Sequence, residues 1–187
     1  MEVYLIRHTR VKPGKEVCYG QSDVEVGDSF AQEAESYRMR LPEKFDQVYS
    51  SSLNRCRVLA ESLNLGPLQT DDRLREASFG QWEGKRWQDI PREQLDPWMN
   101  DFVNNSPPGG ESLKQVFTRF SAFIDELSRQ NHESILVVAH AGIIRCAWAY
   151  ILELDLKNIF KIPVDFGEIL VFNLGSNISE CFIKQKN

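Results

Sequence analysis

Val3-Tyr4-Leu5-Ile6-Arg7-His8 at the start of the chain and Ile135-Leu136-Val137-Val138-Ala139-His140 past its middle follow one plan: an apolar run delivers a histidine where a turn begins. Short apolar runs bounded by turn signals read as buried strands. In an open α/β sheet ligands collect at the carboxyl ends of strands, so two such ends bring His8 and His140 into one crevice although most of the sequence separates them. Arg7 stands beside the first histidine, and a charge at the end of a buried strand needs a partner or a ligand. A phosphate would serve.

Working outward from these runs, Val11 to Asp23 is polar and glycine-containing, a loop by composition. Asp28 or Ser29 opens a helix carrying Phe30, Ala34, Tyr37 and Leu41, which Pro42 ends. Phe45–Tyr49 is a second strand, and Ser50-Ser51-Ser52 supplies caps for a helix from about Leu53 to Leu63, with Arg55 in its first turn. Asp71–Gly80, which holds Glu76, has neither period and reads as an irregular connection. The spacing of Leu113, Val116, Phe120, Phe123, Ile124 and Leu127 predicts a helix opened by Glu111-Ser112. Another helix follows His140 from Gly142 through Ile151. Glu168–Leu174 and Ile178–Ile183 then read as terminal strands around a turn at Gly175-Ser176-Asn177.

Alternating strands and helices imply an α/β fold: a three-layer α/β/α sandwich whose sheet is mostly parallel with an antiparallel edge strand. Residues 1–187 read as one domain. Three of the four tryptophans fall between Trp82 and Phe102, among charges and prolines, and Ser106-Pro107-Pro108-Gly109-Gly110 closes that stretch. Residues 82–110 therefore read as a small helical, lid-like insertion.

With 42% hydrophobic and 26% charged residues the composition is that of an ordinary globule. A net charge of −5 argues against nucleic acid or an anionic membrane as partner, yet permits a local cationic pocket for a small anionic substrate. Cys18, Cys56, Cys146 and Cys181 are widely spaced, as suits reduced thiols, and no apolar run is long enough to span a bilayer. With no signal-type segment at the N-terminus, the expected compartment is the cytoplasm. His132, alone in a polar stretch, receives no role.

The candidate constellation is Arg7, His8, Arg55, Glu76 and His140. A neutral imidazole can attack phosphorus and hold the phosphoryl group covalently while guanidinium groups bind the equatorial oxygens. A carboxylic acid can protonate the departing oxygen and later take a proton from water. No metal or cofactor is needed. Singly, each residue has a plain structural reading, a hydrogen-bonded histidine or a surface arginine; the joint pattern carries the argument.

These motifs resemble the histidine phosphatases, the phosphoglycerate mutase-like superfamily. Leu5-Ile6-Arg7-His8-Thr9 is similar to its R-H-G opening, Ser50-Ser51-Ser52-Leu53-Asn54-Arg55 to S-S-x-L-x-R, and Leu74 through Gly84 to L-x-E-x-x-F-G-x-W-E-G. Ala139-His140-Ala141-Gly142-Ile143-Ile144-Arg145 resembles the second histidine block. The resemblance implies a phosphoglycerate mutase-like fold, His8 as phosphorylated nucleophile, Glu76 as proton donor, and Arg7, Arg55 and His140, with Ala141, around the phosphate. Thr9 replaces the usual glycine, either adding a hydrogen bond or merely filling the turn. Gln21 stands in for an asparagine of the following loop.

Phosphoglycerate mutases carry a longer insertion between the acid and the second histidine, so the compact chain is expected to release the phosphoryl group to water. The Cys18-Tyr19-Gly20-Gln21-Ser22-Asp23-Val24 loop and Pro108-Gly109-Gly110-Glu111-Ser112 are similar to the α-ribazole phosphatase branch, which implies hydrolysis of α-ribazole 5′-phosphate in cobalamin biosynthesis. A broad-specificity or sugar-phosphate phosphatase and a non-catalytic phosphate binder are the rivals. Trp82, Trp87 and Trp98 offer either an aromatic face for the substrate's base or packing between lid and body.

Overall fold

The computed structural model describes residues 1–186. In chain order its elements are β1 (Glu2–Arg7), α1 (Phe30–Arg38), β2 (Gln47–Ser50), α2 (Asn54–Leu63), β3 (Leu68–Thr70), α3 (Arg92–Asn100), α4 (Leu113–Leu127), β4 (Ser134–Ala139), α5 (Ala141–Leu152), β5 (Ile169–Asn173) and β6 (Phe182–Lys186). The strands form one sheet in the order β3-β2-β4-β1-β5-β6. The first four are parallel, while β5 runs against β1 and β6 against β5, giving the expected antiparallel edge.

Alternation along the central strands sorts the core into two faces, because successive side chains leave a strand on opposite sides. Val3 and Leu5, with Ile135, Val137 and Ala139, meet α4 and α5, whereas Ile6, Leu136 and Val138 meet α1 and α2. Both faces of β4 are therefore apolar, and its sequence shows no polar alternation, as expected for a parallel strand covered on each side. Each such Val, Leu or Ile contributes about 1.5–3 kcal/mol on burial. The helix α4 begins with a capping box: Ser112 Oγ accepts from Gln115 N–H and Gln115 Oε1 from Ser112 N–H.

One strand is added and two local expectations change. Leu68–Thr70, between the helix end and the irregular stretch, pairs with β2 as a short, wholly exposed edge strand. Ile178–Glu180 is a 3-10 turn, so the last strand begins only at Phe182; Glu180 folds back to accept from Ser176 N–H and shapes that turn. The serine run does not cap α2, whose N-cap is Leu53 without a side-chain cap bond; Ser51 Oγ faces His140 instead.

Residues 79–98 gather around a small core of their own, in which Trp82 and Cys18 are buried and Phe79, Trp87, Leu95 and Trp98 pack against them. Trp87 and Trp98 stack on each other, and Trp82 Nε1–H donates to Gln94 Oε1. The tryptophans thus take the packing alternative. Among the described residues no helix is long and apolar enough to cross a membrane.

Candidate active site

Parallel pairing of β1 with β4 sets Arg7 opposite Ala139, and His8 N–H donates to the Ala139 carbonyl at 2.9 Å. The two histidines thus leave neighbouring strand ends together, with ring centroids 5.2 Å apart. Both are buried. The Nδ1 of His8 lies 2.7 Å from the Thr9 carbonyl. A carbonyl only accepts, so Nδ1 carries the proton and Nε2 keeps its lone pair. Burial, then the charges of Arg55 and Arg7, hold the His8 imidazole well below its ordinary 6.5. His140 is held low in the same direction by burial, then by Arg55 and His8. Both rings are therefore neutral near pH 7, the state a nucleophile requires.

The cations around them are anchored from behind. Arg7 donates to the Val164 carbonyl at 2.9 Å and lies over the Phe166 ring at 3.7 Å. Arg55, fully buried, donates to the carbonyls of Gly20 (2.6 Å) and Ser22 (2.9 Å). Neither forms an ion pair with a carboxylate among the described residues. The Nε of each, together with Thr9 Oγ1, is buried without a hydrogen-bond partner. Unpaired buried donors are costly, and those left on Arg7 and Thr9, the two neighbours of His8 in sequence, and on Arg55 can serve an anion. His140 caps α5 and shares a 2.8 Å hydrogen bond between its Nε2 and Ser51 Oγ.

Glu76 reaches the same place from the irregular connection. Its Oε2 accepts from Gly142 N–H at 3.2 Å and its Oε1 from Ala77 N–H at 2.9 Å. Gly142 is required by this approach, since a Cβ there would lie 2.2 Å from Glu76 Oε1. Gln21 has a different position from the one expected: its side-chain amide donates to the Glu76 carbonyl and to Glu111 Oε2, behind the carboxyl rather than into the anion site.

An adjoining pocket of about 520 Å³ is lined by Arg7 and Ala141 and, further out, by Arg10, Lys15, Tyr19, Arg145, Asp165 and Phe166. Its aromatic surfaces are Tyr19 and Phe166, and none of Trp82, Trp87 or Trp98 lines it. Sequence reading met Ser51 and Arg145 within its motifs without giving either a role, and it missed Phe166, which lies in the loop before β5 where nothing in the residue itself signals a site. Among the described residues no group of three or more His, Cys, Asp or Glu side chains is placed to hold a metal ion.

Residues 3–180 match the family model described as histidine phosphatase superfamily (branch 1). The chain is 28% identical over 177 residues to an adenosylcobalamin/alpha-ribazole phosphatase of Escherichia coli, covering 89% of this chain and 87% of that one. It is 24% identical over 184 residues to phosphoserine phosphatase 1 of Hydrogenobacter thermophilus, covering 93% and 87%. The crystal structure of the alpha-ribazole phosphatase from Shigella flexneri superposes with a TM-score of 0.90 at 24% identity, over 98% of this chain and 95% of that one.

Proposed function

Because the chain belongs to the histidine phosphatase superfamily (branch 1), whose relatives include named phosphatases as well as phosphoglycerate mutases, we propose that it hydrolyses phosphomonoesters through a phosphohistidine on His8. The observation that carries the reading is a buried, neutral His8 imidazole that feels the charges of Arg55 and Arg7, with Arg7 Nε, Arg55 Nε and Thr9 Oγ1 buried and partnerless. In the first step His8 Nε2 attacks phosphorus, the P–O bond to the alcohol breaks, and Glu76 gives its proton to the leaving oxygen. Arg7, Arg55 and His140 hold the equatorial oxygens, whose charge is dispersed by donors already in place. In the second step water attacks phosphorus, Glu76 takes its proton, the P–N bond breaks and phosphate leaves.

Within that reaction we favour α-ribazole 5′-phosphate, an intermediate on the way to cobalamin. The adjoining pocket has the volume for a nucleoside, and Tyr19 offers its ring to a flat base. The resemblance of the Cys18–Val24 loop points the same way. The cationic lining supports a second reading, phosphoserine, in which Arg10, Lys15 or Arg145 meets the carboxylate and Asp165 the ammonium group. On either reading residues 1–187 act as one catalytic domain, with 82–110 as a lid-like insertion. The four unpaired cysteines suit a cytoplasmic enzyme. A purely phosphate-binding protein would have no use for Glu76.

The test is turnover by wild type and His8→Ala on α-ribazole 5′-phosphate, phosphoserine, 3-phosphoglycerate, fructose 2,6-bisphosphate and p-nitrophenyl phosphate. A large preference for α-ribazole 5′-phosphate, lost with His8, supports the reading; preference for phosphoserine replaces the substrate and keeps the chemistry. Isomerised phosphoglycerate instead of free phosphate would make the chain a mutase, and no turnover on the whole panel would leave a binder.

A further inference from the structure

Against the main chain of Glu76 lies a guanidinium whose hydrogen bonds are all spent within the protein. Arg119, on α4, donates from Nε to Glu111 Oε1 at 2.9 Å, from Nη1 to the carbonyls of Arg73 and Arg75 at 2.7 Å each, and from Nη2 to the Glu76 carbonyl and Glu111 Oε2 at 3.0 Å each. An arginine has five N–H donors, and five acceptors meet them. Arg119 therefore has nothing left to offer a substrate. Three of its acceptors are main-chain carbonyls of the segment that carries the acid.

Glu111 completes the clamp from the other side. Its Oε2 also accepts from Ser78 N–H and from Gln21 Nε2, and Gln21 passes a second bond to the Glu76 carbonyl. Burial pushes the Glu111 carboxyl up, but Arg119 and the Ser78 N–H overcome it and hold the group below the ordinary carboxylate range, so it stays ionised. Residues 73–78 have no strand or α-helix to fix them beyond one 3-10 turn, Asp72–Leu74. The side-chain network supplies the rigidity that a regular element would.

We propose that Arg119, with Glu111, is a positioning residue for the proton donor: the pair fixes the Glu76 segment so that the carboxyl meets the leaving-group oxygen. The inference rests on Glu76 acting as that donor. Lysine brings three donors to five acceptors, so Arg119→Lys keeps the charge while loosening the segment.

The experiment compares Arg119→Lys, Glu76→Gln and the double variant on p-nitrophenyl phosphate, whose leaving group needs little protonation, and on glycerol phosphate, whose alkoxide needs it fully. Glu76→Gln is expected to slow glycerol phosphate far more than p-nitrophenyl phosphate. Arg119→Lys is expected to reproduce that asymmetry in weaker form, with kcat on glycerol phosphate down about tenfold, less than about threefold on the aryl ester, and KM unchanged on both. In the double variant it should add nothing to Glu76→Gln, because both changes act through one carboxyl. Equal losses by Arg119→Lys on the two esters, or full additivity with Glu76→Gln, would overturn the proposal and leave Arg119 a structural ion pair. Equal losses by Glu76→Gln itself would instead remove the proton-donor reading beneath it. Thermal unfolding verifies that each variant is folded, and should Arg119→Lys not fold, Glu111→Gln carries the same comparison.

Discussion

Gly142→Ala isolates the placement of the acid from everything else in the site. A Cβ at residue 142 would lie 2.2 Å from Glu76 Oε1, where ordinary contacts begin at 3.4 Å, so the carboxyl must retreat by about 1 Å. The retreating atom ends a flexible side chain, and the fold can absorb the change. Alanine in the first turn of α5 even returns up to about 1 kcal/mol of helix propensity. Chemistry is less tolerant: a misplacement of about 1 Å costs on the order of 10²-fold in rate, or roughly 2.7 kcal/mol of barrier. We expect kcat on glycerol phosphate to fall by about that factor, a much smaller fall on p-nitrophenyl phosphate, KM within about twofold, and an unfolding midpoint equal to or above wild type. Steady-state kinetics on the two esters with a thermal melt decide it. Wild-type kcat on glycerol phosphate, or equal falls on both esters, would refute the argument that Gly142 is there to admit Glu76.

Other outcomes follow from the same geometry. His8 and His140 are buried neutral with values held below 6.5, so as pH falls from 6.5 toward their folded values the unfolded chain binds protons that the folded chain refuses; stability should drop over that interval while nucleophilic competence persists, seen by comparing melts with single-turnover phosphorylation from pH 7 to pH 5. His8→Ala should remove trapped phosphoenzyme and turnover while the protein still melts cooperatively; a residual ester-cleaving rate would move the nucleophile elsewhere. Prolonged EDTA treatment should leave kcat unchanged, because arginines and His140 neutralise the phosphate in this scheme, and activity restored by a divalent metal would contradict it. Trp82→Ala should cost about 3–5 kcal/mol in denaturant titration, as loss of a buried indole does, and Trp98→Ala should leave substrate selectivity intact, whereas Tyr19→Ala should change it; the reverse result would return the tryptophans to the substrate.

The central sheet was legible because its strands are buried on both faces and written as continuous apolar runs, and the two histidines because they end those runs. At the margins the reading fails for physical reasons. Leu68-Gln69-Thr70 is three exposed residues whose strand character exists only through pairing with β2. The sequence leaves the tryptophans between a ligand face and packing, because a one-dimensional pattern does not show that Trp87 and Trp98 stack on each other. Arg119 reads as an ordinary helical surface charge, since its five acceptors come from residues 73–76 and 111 and converge only in three dimensions. Gln21 was found for its loop but not for its direction. Its amide serves Glu76 from behind, a distinction that no spacing rule carries.

The register of β1 against β4 also has a consequence for how the molecule comes into being. Of the six strands described, Glu2–Arg7 is synthesised before the others, yet neither of its neighbours in the sheet, β4 and β5, begins before residue 134. At synthesis rates of roughly 5–20 residues per second, the nascent chain carries an unpartnered apolar strand for on the order of ten seconds. Half-made protein can contain His8, Arg55 and Glu76 and still have no pocket, because the partner strand that places His140 beside His8 has not been translated. An exposed apolar strand of this kind is what chaperones cover, and the two histidines come together only once β4 has paired with β1.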